Sequence, residues 1–165
     1  MKLYLASPLG FSEAGRYFYT NTMIPAIAQL GYSIIDPWAL ANQTAIDAIQ
    51  AMQPSQERID RWRALNFQIG ANNAAAIHSS RILVAVLDGV DVDSGTAAEI
   101  GFACSLSKPI FGYRGDFRLS ADNEGGIVNL QVEYFIRQSG GTICSDLNSL
   151  VHALAQHYAH YQGAN

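Results

Sequence analysis

The sequence predicts an α/β protein with a doubly wound, flavodoxin- or Rossmann-like sheet of five parallel strands and helices on both faces. Three observations carry this. Short apolar runs alternate with longer segments of helical character along the chain. The runs are apolar throughout rather than at every second residue, as strands covered on both faces require. Polar, acidic and glycine residues gather just after the runs, where open parallel sheets place their ligands.

The elements follow in order. KLYLA (2–6) is the first strand, broken by Ser7, Pro8 and Gly10. A helix is expected over 12–30, with Ser12 as its N-cap and Gly31 as its stop. YSIID (32–36) is the second strand, closed by Pro37, and 38–54 reads as a short helix inside a long loop. A helix over 55–79, a strand over 81–87, a helix over 95–107 and a strand over 109–113 come next. A Gly-, Asp- and Arg-containing loop (114–126) leads to an ordered stretch near 127–137, a strand at 141–144 and a closing helix near 146–161. Residues 1–165 are read as a single domain, a length that supports a sizeable core.

Composition narrows the function. Charged residues are only 15% of the chain, so part of the surface is expected to lie in subunit contacts. The net charge of −4, with no basic run, argues against a nucleic-acid polymer as partner. The start, MKLYLASPLG, lacks the apolar core of a secretory signal, and no stretch is long and apolar enough to span a membrane. Cys104 and Cys144 are read as thiols in a reducing, cytoplasmic setting rather than as a bridge. His152, His157 and His160 match no ligand spacing, so neither a metal nor another cofactor is expected.

The chemistry concentrates after the third strand. Asp88, Asp91, Asp93 and Glu99 fall within twelve residues. Acids held together repel and shift one another's pKa, so they need a task. An anion is disfavoured there, and DSGT lacks the lysine of a phosphate loop. Two readings of Glu99 stand side by side. Thr96-x-x-Glu99 fits a capping box, with Asp93 or Ser94 as alternative caps. Alternatively, Glu99 is a nucleophile that attacks an anomeric carbon and forms a glycosyl ester. Gly95, Ala97 and Ala98 would leave its approach clear, and the helix N-terminus would favour its ionised form.

At this point the chain resembles the nucleoside 2-deoxyribosyltransferase family. KLYLASPL resembles its first strand and sugar-binding turn, and AVLDGVDVDSGTAAEIGFA its signature, with Asp93 six residues before Glu99. KPIFGYR resembles its fourth strand, and VNLQVEYFI the segment that reaches a neighbouring subunit's site. The resemblance spans residues 2 to about 145. It implies transfer of 2-deoxyribose between nucleobases, purines with pyrimidines left open, by double displacement, with retention and without a cofactor. By position it implies Glu99 as nucleophile, Tyr4 as its hydrogen-bonding partner and Asp93 as an acid at the sugar or base. It implies Asn129 and Gln131 as donations from a neighbour in a homo-oligomer, at least a dimer. Ser7 lies in the sugar-binding turn, Phe11 can stack on a base, Asp36 can contact sugar or base or serve a turn, and Gly95 keeps the site open.

Two departures bear on the chemistry. Asn73 stands where some members carry an aspartate that handles the base proton, and an amide cannot protonate a base. Asp88, Asp93 or water is left for that step. Arg81 opens the third strand where many members have an aspartate, and is read as structural. A site without room for a 2-hydroxyl should discriminate against ribonucleosides. The alternatives are a 2-deoxynucleoside or deoxynucleoside 5′-monophosphate N-glycosidase, in which water intercepts the ester, and a non-catalytic nucleoside-binding domain in which Glu99 is only a cap.

Overall fold

The computed structural model describes residues 1–163. Five strands, β1 (Lys2–Ala6), β2 (Ser33–Ile35), β3 (Ile82–Val86), β4 (Ile110–Tyr113) and β5 (Ile143–Cys144), form one sheet in the order β2-β1-β3-β4-β5, every pair parallel. The doubly wound expectation holds. The chain runs from β1 outward to β2, then returns to lay β3 on the other side of β1. The switch point therefore falls between the carboxyl ends of β1 and β3.

Alternation along the strands builds two cores. Leu3, Leu5, Ile82, Val84 and Val86 face one side and meet Tyr19, Met23 and Ile27 of the first helical segment and Leu150 and Leu154 of α8 (Leu147–Gly163). Tyr4, Ala6, Leu83 and Ala85 face the other side. There they meet Ala76 and Ile77 of α5 (Gln56–Ser79), Ile100 and Ala103 of α6 (Ser94–Ser105), and Val132 and Ile136 of α7 (Leu130–Gln138). β3 is buried at every residue, as a strand covered on both faces must be.

The helix expected over 12–30 is present but not uniform. Ser12 accepts from the Gly15 N–H, and Gly31 ends the segment at φ 90°, where a side chain would be strained. Between them lie α1 (Glu13–Phe18), a π turn (Tyr19–Met23) and α2 (Ile24–Ala28). Pro25 explains the interruption. It has no N–H to give to the carbonyl four residues back, and its ring crowds that carbonyl. The Ile24 N–H instead reaches the carbonyl of Tyr19, the five-residue spacing of a π turn.

The segment 38–54 departs further from expectation. It holds two helices, α3 (Pro37–Leu40) and α4 (Gln43–Gln50), capped by the Asp36 and Asn42 side chains. α4 packs on α5 and carries Ile49 inward, so tertiary contact sustains a helix that its mixed polar sequence left uncertain. Cys104 and Cys144 are both unbridged, and Arg81 lies over the Tyr161 ring.

Candidate active site

β1 contributes the floor of the site. Its second core residue, Tyr4, is fully buried and sends its hydroxyl 2.6 Å to Oε1 of Glu99. Burial, and then the hydrogen bond to Glu99, hold the Tyr4 hydroxyl well above its ordinary pKa, so it remains a donor. Glu99 reaches it because Asp93 caps α6 and sets the helix rotation. The Asp93 Oδ2 accepts from the Thr96 N–H at 2.9 Å and from the Thr96 hydroxyl at 3.3 Å. The capping-box reading of Glu99 therefore gives way to a cap by Asp93, and the Glu99 carboxylate is left for the cleft.

Asn73, on α5, points its amide nitrogen at the same Oε1, 3.4 Å away. The Asn73 oxygen is buried without a partner among the described residues, a cost consistent with the amide being turned so that its nitrogen meets the carboxylate. Burial raises the Glu99 pKa, the Tyr4 hydrogen bond lowers it, and the Asp93 charge raises it again; the net direction is up. The site thus holds a carboxylate disfavoured as an anion by its surroundings and rescued in part by one hydroxyl.

A cavity of about 870 Å³ opens over this floor, within the range of small-molecule sites. Ser7, Phe11, Asp36, Asn73, Asp93, Gly95 and Glu99 all line it. Its aromatic wall is Phe11 set edge-on against Trp38, centroids 4.7 Å apart at 88°. The Trp38 indole N–H donates to the Ser7 carbonyl at 3.0 Å, and the ring passes so close over Gly10 that a Cβ there would sit 2.2 Å from Cε2. The Ser7 hydroxyl is taken up by the Leu9 N–H. Asp36 Oδ1 accepts from the Tyr19 hydroxyl at 2.8 Å and the Trp38 N–H at 3.0 Å.

The remaining expected residues lie elsewhere. Asp88 does not line the cavity; its Oδ1 accepts from the Asp116 N–H and ties the β3 end to the loop after β4. Of the two acids offered for proton delivery, only Asp93 borders the cleft. Asn129 caps α7 through the N–H groups of Gln131 and Val132, and neither it nor Gln131 borders this chain's cavity.

Sequence reasoning missed a second wall. Ile46 and Gln50 of α4 and Asn66 and Ile69 of α5 line the cavity together with Asn73. The spacing of 66, 69 and 73 on one helix face was the available signal. Tyr19, one of three adjacent aromatics at 17–19, also lines the cavity.

A concave, largely apolar cleft lies at the switch point of a doubly wound sheet, where open α/β sheets place their ligands, and the tyrosine-held carboxylate beside it is a group suited to nucleophilic or proton-transfer chemistry. The family model of the nucleoside 2-deoxyribosyltransferases matches residues 3–131, and the chain belongs to that family. Solved structures agree in fold. A conserved protein from Enterococcus faecalis V583 aligns at 23% identity over 95% of this chain and 98% of its own, with a TM-score of 0.70. A 2-deoxyribosyltransferase from Bacillus psychrosaccharolyticus aligns at 21% identity over 92% and 90%, with a TM-score of 0.63. A CMP N-glycosidase, BcmB, from Clostridium botulinum aligns at 18% over 95% and 99%, with a TM-score of 0.53. No curated protein sequence matches the chain significantly. Among the described residues no helix is long and apolar enough to cross a membrane, and no cluster of three or more metal-ligating side chains occurs.

Proposed function

We propose that this protein exchanges the base of 2-deoxynucleosides through a covalent deoxyribosyl–Glu99 ester. The observation that supports it best is the Glu99 carboxylate, in the family's signature, held at 2.6 Å by the buried Tyr4 hydroxyl on the floor of a nucleoside-sized cleft. A Glu99 oxygen attacks C1′ while the bond from C1′ to the base nitrogen breaks, and its electron pair leaves on the base. Asp93 or water supplies the proton that the departing base takes up, since the Asn73 amide has none to give. A second base then attacks C1′ with its ring nitrogen as the ester C–O bond breaks and its electron pair returns to the Glu99 carboxylate, and the N–H proton of the incoming base goes back to the group, Asp93 or water, that protonated the first. Two inversions give retention. Phe11 and Trp38 supply the face against which a base stacks.

Asn129 and Gln131 act in a neighbouring subunit's cleft on this reading, which their position outside this chain's cavity supports. The nearly bare Phe117, at 94% exposure, and the exposed Leu119 and Tyr134 supply apolar surface for such an assembly. The two unbridged cysteines fit a cytoplasmic enzyme.

A second reading, hydrolysis of a deoxynucleoside 5′-monophosphate, draws on Arg16. It is the basic side chain among those lining the cavity and has no ion-pair partner among the described residues. Chromatography of deoxyinosine with and without added adenine or cytosine separates the readings. Deoxyadenosine or deoxycytidine formed only with acceptor establishes transfer. Hypoxanthine released equally in both tubes, or release only from the 5′-monophosphate, establishes hydrolysis. Ligand binding unaffected by Glu99→Ala, with no reaction in any tube, would leave a nucleoside-binding protein.

A further inference from the structure

Asp36 closes β2 and borders the cleft, yet the ester chemistry gives it no task. Its two oxygens are treated differently by the fold. Oδ1 is held by the Tyr19 hydroxyl at 2.8 Å and the Trp38 backbone N–H at 3.0 Å. Oδ2 has no partner among the described residues and is not buried, on a side chain that lines the cavity. Among the described residues no cation pairs with the carboxylate. A side chain locked through one oxygen and open through the other presents an acceptor in a fixed place.

The surroundings indicate what it accepts from. Asp36 is followed directly by Pro37 and Trp38, and the indole joins Phe11 in the aromatic wall of the same cleft. An acceptor that lines the same cleft as an aromatic wall is available to the polar edge of a ring stacked on that wall. We propose that Asp36 reads an N–H donor on the nucleobase, so that bases with an exocyclic amino or ring N–H on that edge are preferred to bases without one. Tyr19 is its positioning residue. The π turn enforced by Pro25 begins at Tyr19, which is buried with its hydroxyl beside Asp36, while Tyr17 stays 71% exposed. Burial, and then the Asp36 charge, keep the Tyr19 hydroxyl protonated and donating.

This inference rests on the nucleoside reading of the site but not on transfer itself, so equilibrium binding tests it. Adenine and unsubstituted purine differ by the amino donor. Their dissociation constants are measured by calorimetry with the wild-type protein, Asp36→Asn and Tyr19→Phe, each checked for folding by circular dichroism. In the wild-type protein adenine should bind more tightly by roughly ten- to a hundred-fold, the span of a hydrogen bond to a charged acceptor. In Asp36→Asn the oxygen stays with the Tyr19 and Trp38 donors and the amide nitrogen faces the cavity. The preference for adenine should then vanish. Tyr19→Phe keeps the ring in the core and frees the carboxylate, and should reduce the preference without abolishing it. An unchanged adenine-to-purine ratio in Asp36→Asn overturns the proposal, as does a wild-type protein that does not distinguish the two bases or binds neither. Exchange of deoxyinosine with adenine, run on the same samples, judges the enzyme reading separately: binding discrimination with no exchange would overturn that reading and leave this one standing.

Discussion

Replacing Tyr4 by phenylalanine removes one oxygen from the floor of the site and little else. The ring is fully buried against Ala6, Leu83 and Ile100, and phenylalanine fills the same space. What disappears is the 2.6 Å donation to Glu99, the contact that opposes burial and the Asp93 charge in setting the Glu99 pKa. A hydrogen bond to a charged group is worth about 1.5–3 kcal/mol. At 1.36 kcal/mol per factor of ten, that is a roughly ten- to hundred-fold smaller ionised fraction of Glu99 at a given pH on the acid side. A nucleophile must be ionised, so kcat/KM rises with pH through the Glu99 titration. The assay is conversion of deoxyinosine to deoxyadenosine from about pH 5 to about pH 9, a span chosen around the carboxylate and neutral ranges. In Tyr4→Phe the acid limb should move to higher pH, with the loss largest at low pH and narrowing on the alkaline side. A loss equal at every pH, or a limb that moves down, would refute the claim that Tyr4 keeps Glu99 ionised.

Glu99→Gln should abolish transfer and the ester adduct seen by mass spectrometry on deoxynucleoside alone. Because the folded-state pKa of Glu99 lies above its unfolded value, ionising it costs the fold stability as pH rises through that pKa. The melting temperature of Glu99→Gln relative to wild type should therefore increase with pH, and a difference that shrinks would contradict the assigned direction. Asn73→Asp sets a second carboxylate beside Glu99 and should shift the acid limb of kcat/KM upward. Gly10→Ala puts a methyl group inside the Trp38 ring and should cost about 1–3 kcal/mol as overpacking, with a change in tryptophan fluorescence; an unchanged spectrum and melting curve would rule out that contact. Asn129→Asp keeps the α7 cap but removes the amide donor. Mixed with Glu99→Gln under subunit exchange, it should regain activity if Asn129 serves a neighbour's site, and stay inactive if it does not.

The parallel five-stranded sheet and the helices on both its faces were legible in one dimension. They depend on local rules: uninterrupted apolar runs for β1 and β3, caps at Ser12 and Asp93, a stop at Gly31. Proline at position 25 was equally visible, but whether a proline kinks, ends or widens a helix depends on what packs against it. Only the folded chain decided that the turn beside it widens and that Tyr19 enters the core beside Asp36.

The choice between cap and cleft for Glu99 was likewise not local. Thr96 and Glu99 satisfy the capping pattern, but Asp93 caps the helix with Thr96 already inside it, and the Glu99 carboxylate meets Tyr4, ninety-five residues away. Asp88 and Asp93 look alike in sequence, five residues apart at one strand end. The fold ties Asp88 to the loop after β4 and leaves Asp93 at the cleft. Sequence thus determined which elements form and which residue types the strand ends offer, because propensity, capping and apolar pattern act over a few residues. The tertiary structure decided which carboxylates share the cleft and which side-chain atoms remain unpaired, because those depend on distances between elements that no spacing along the chain encodes.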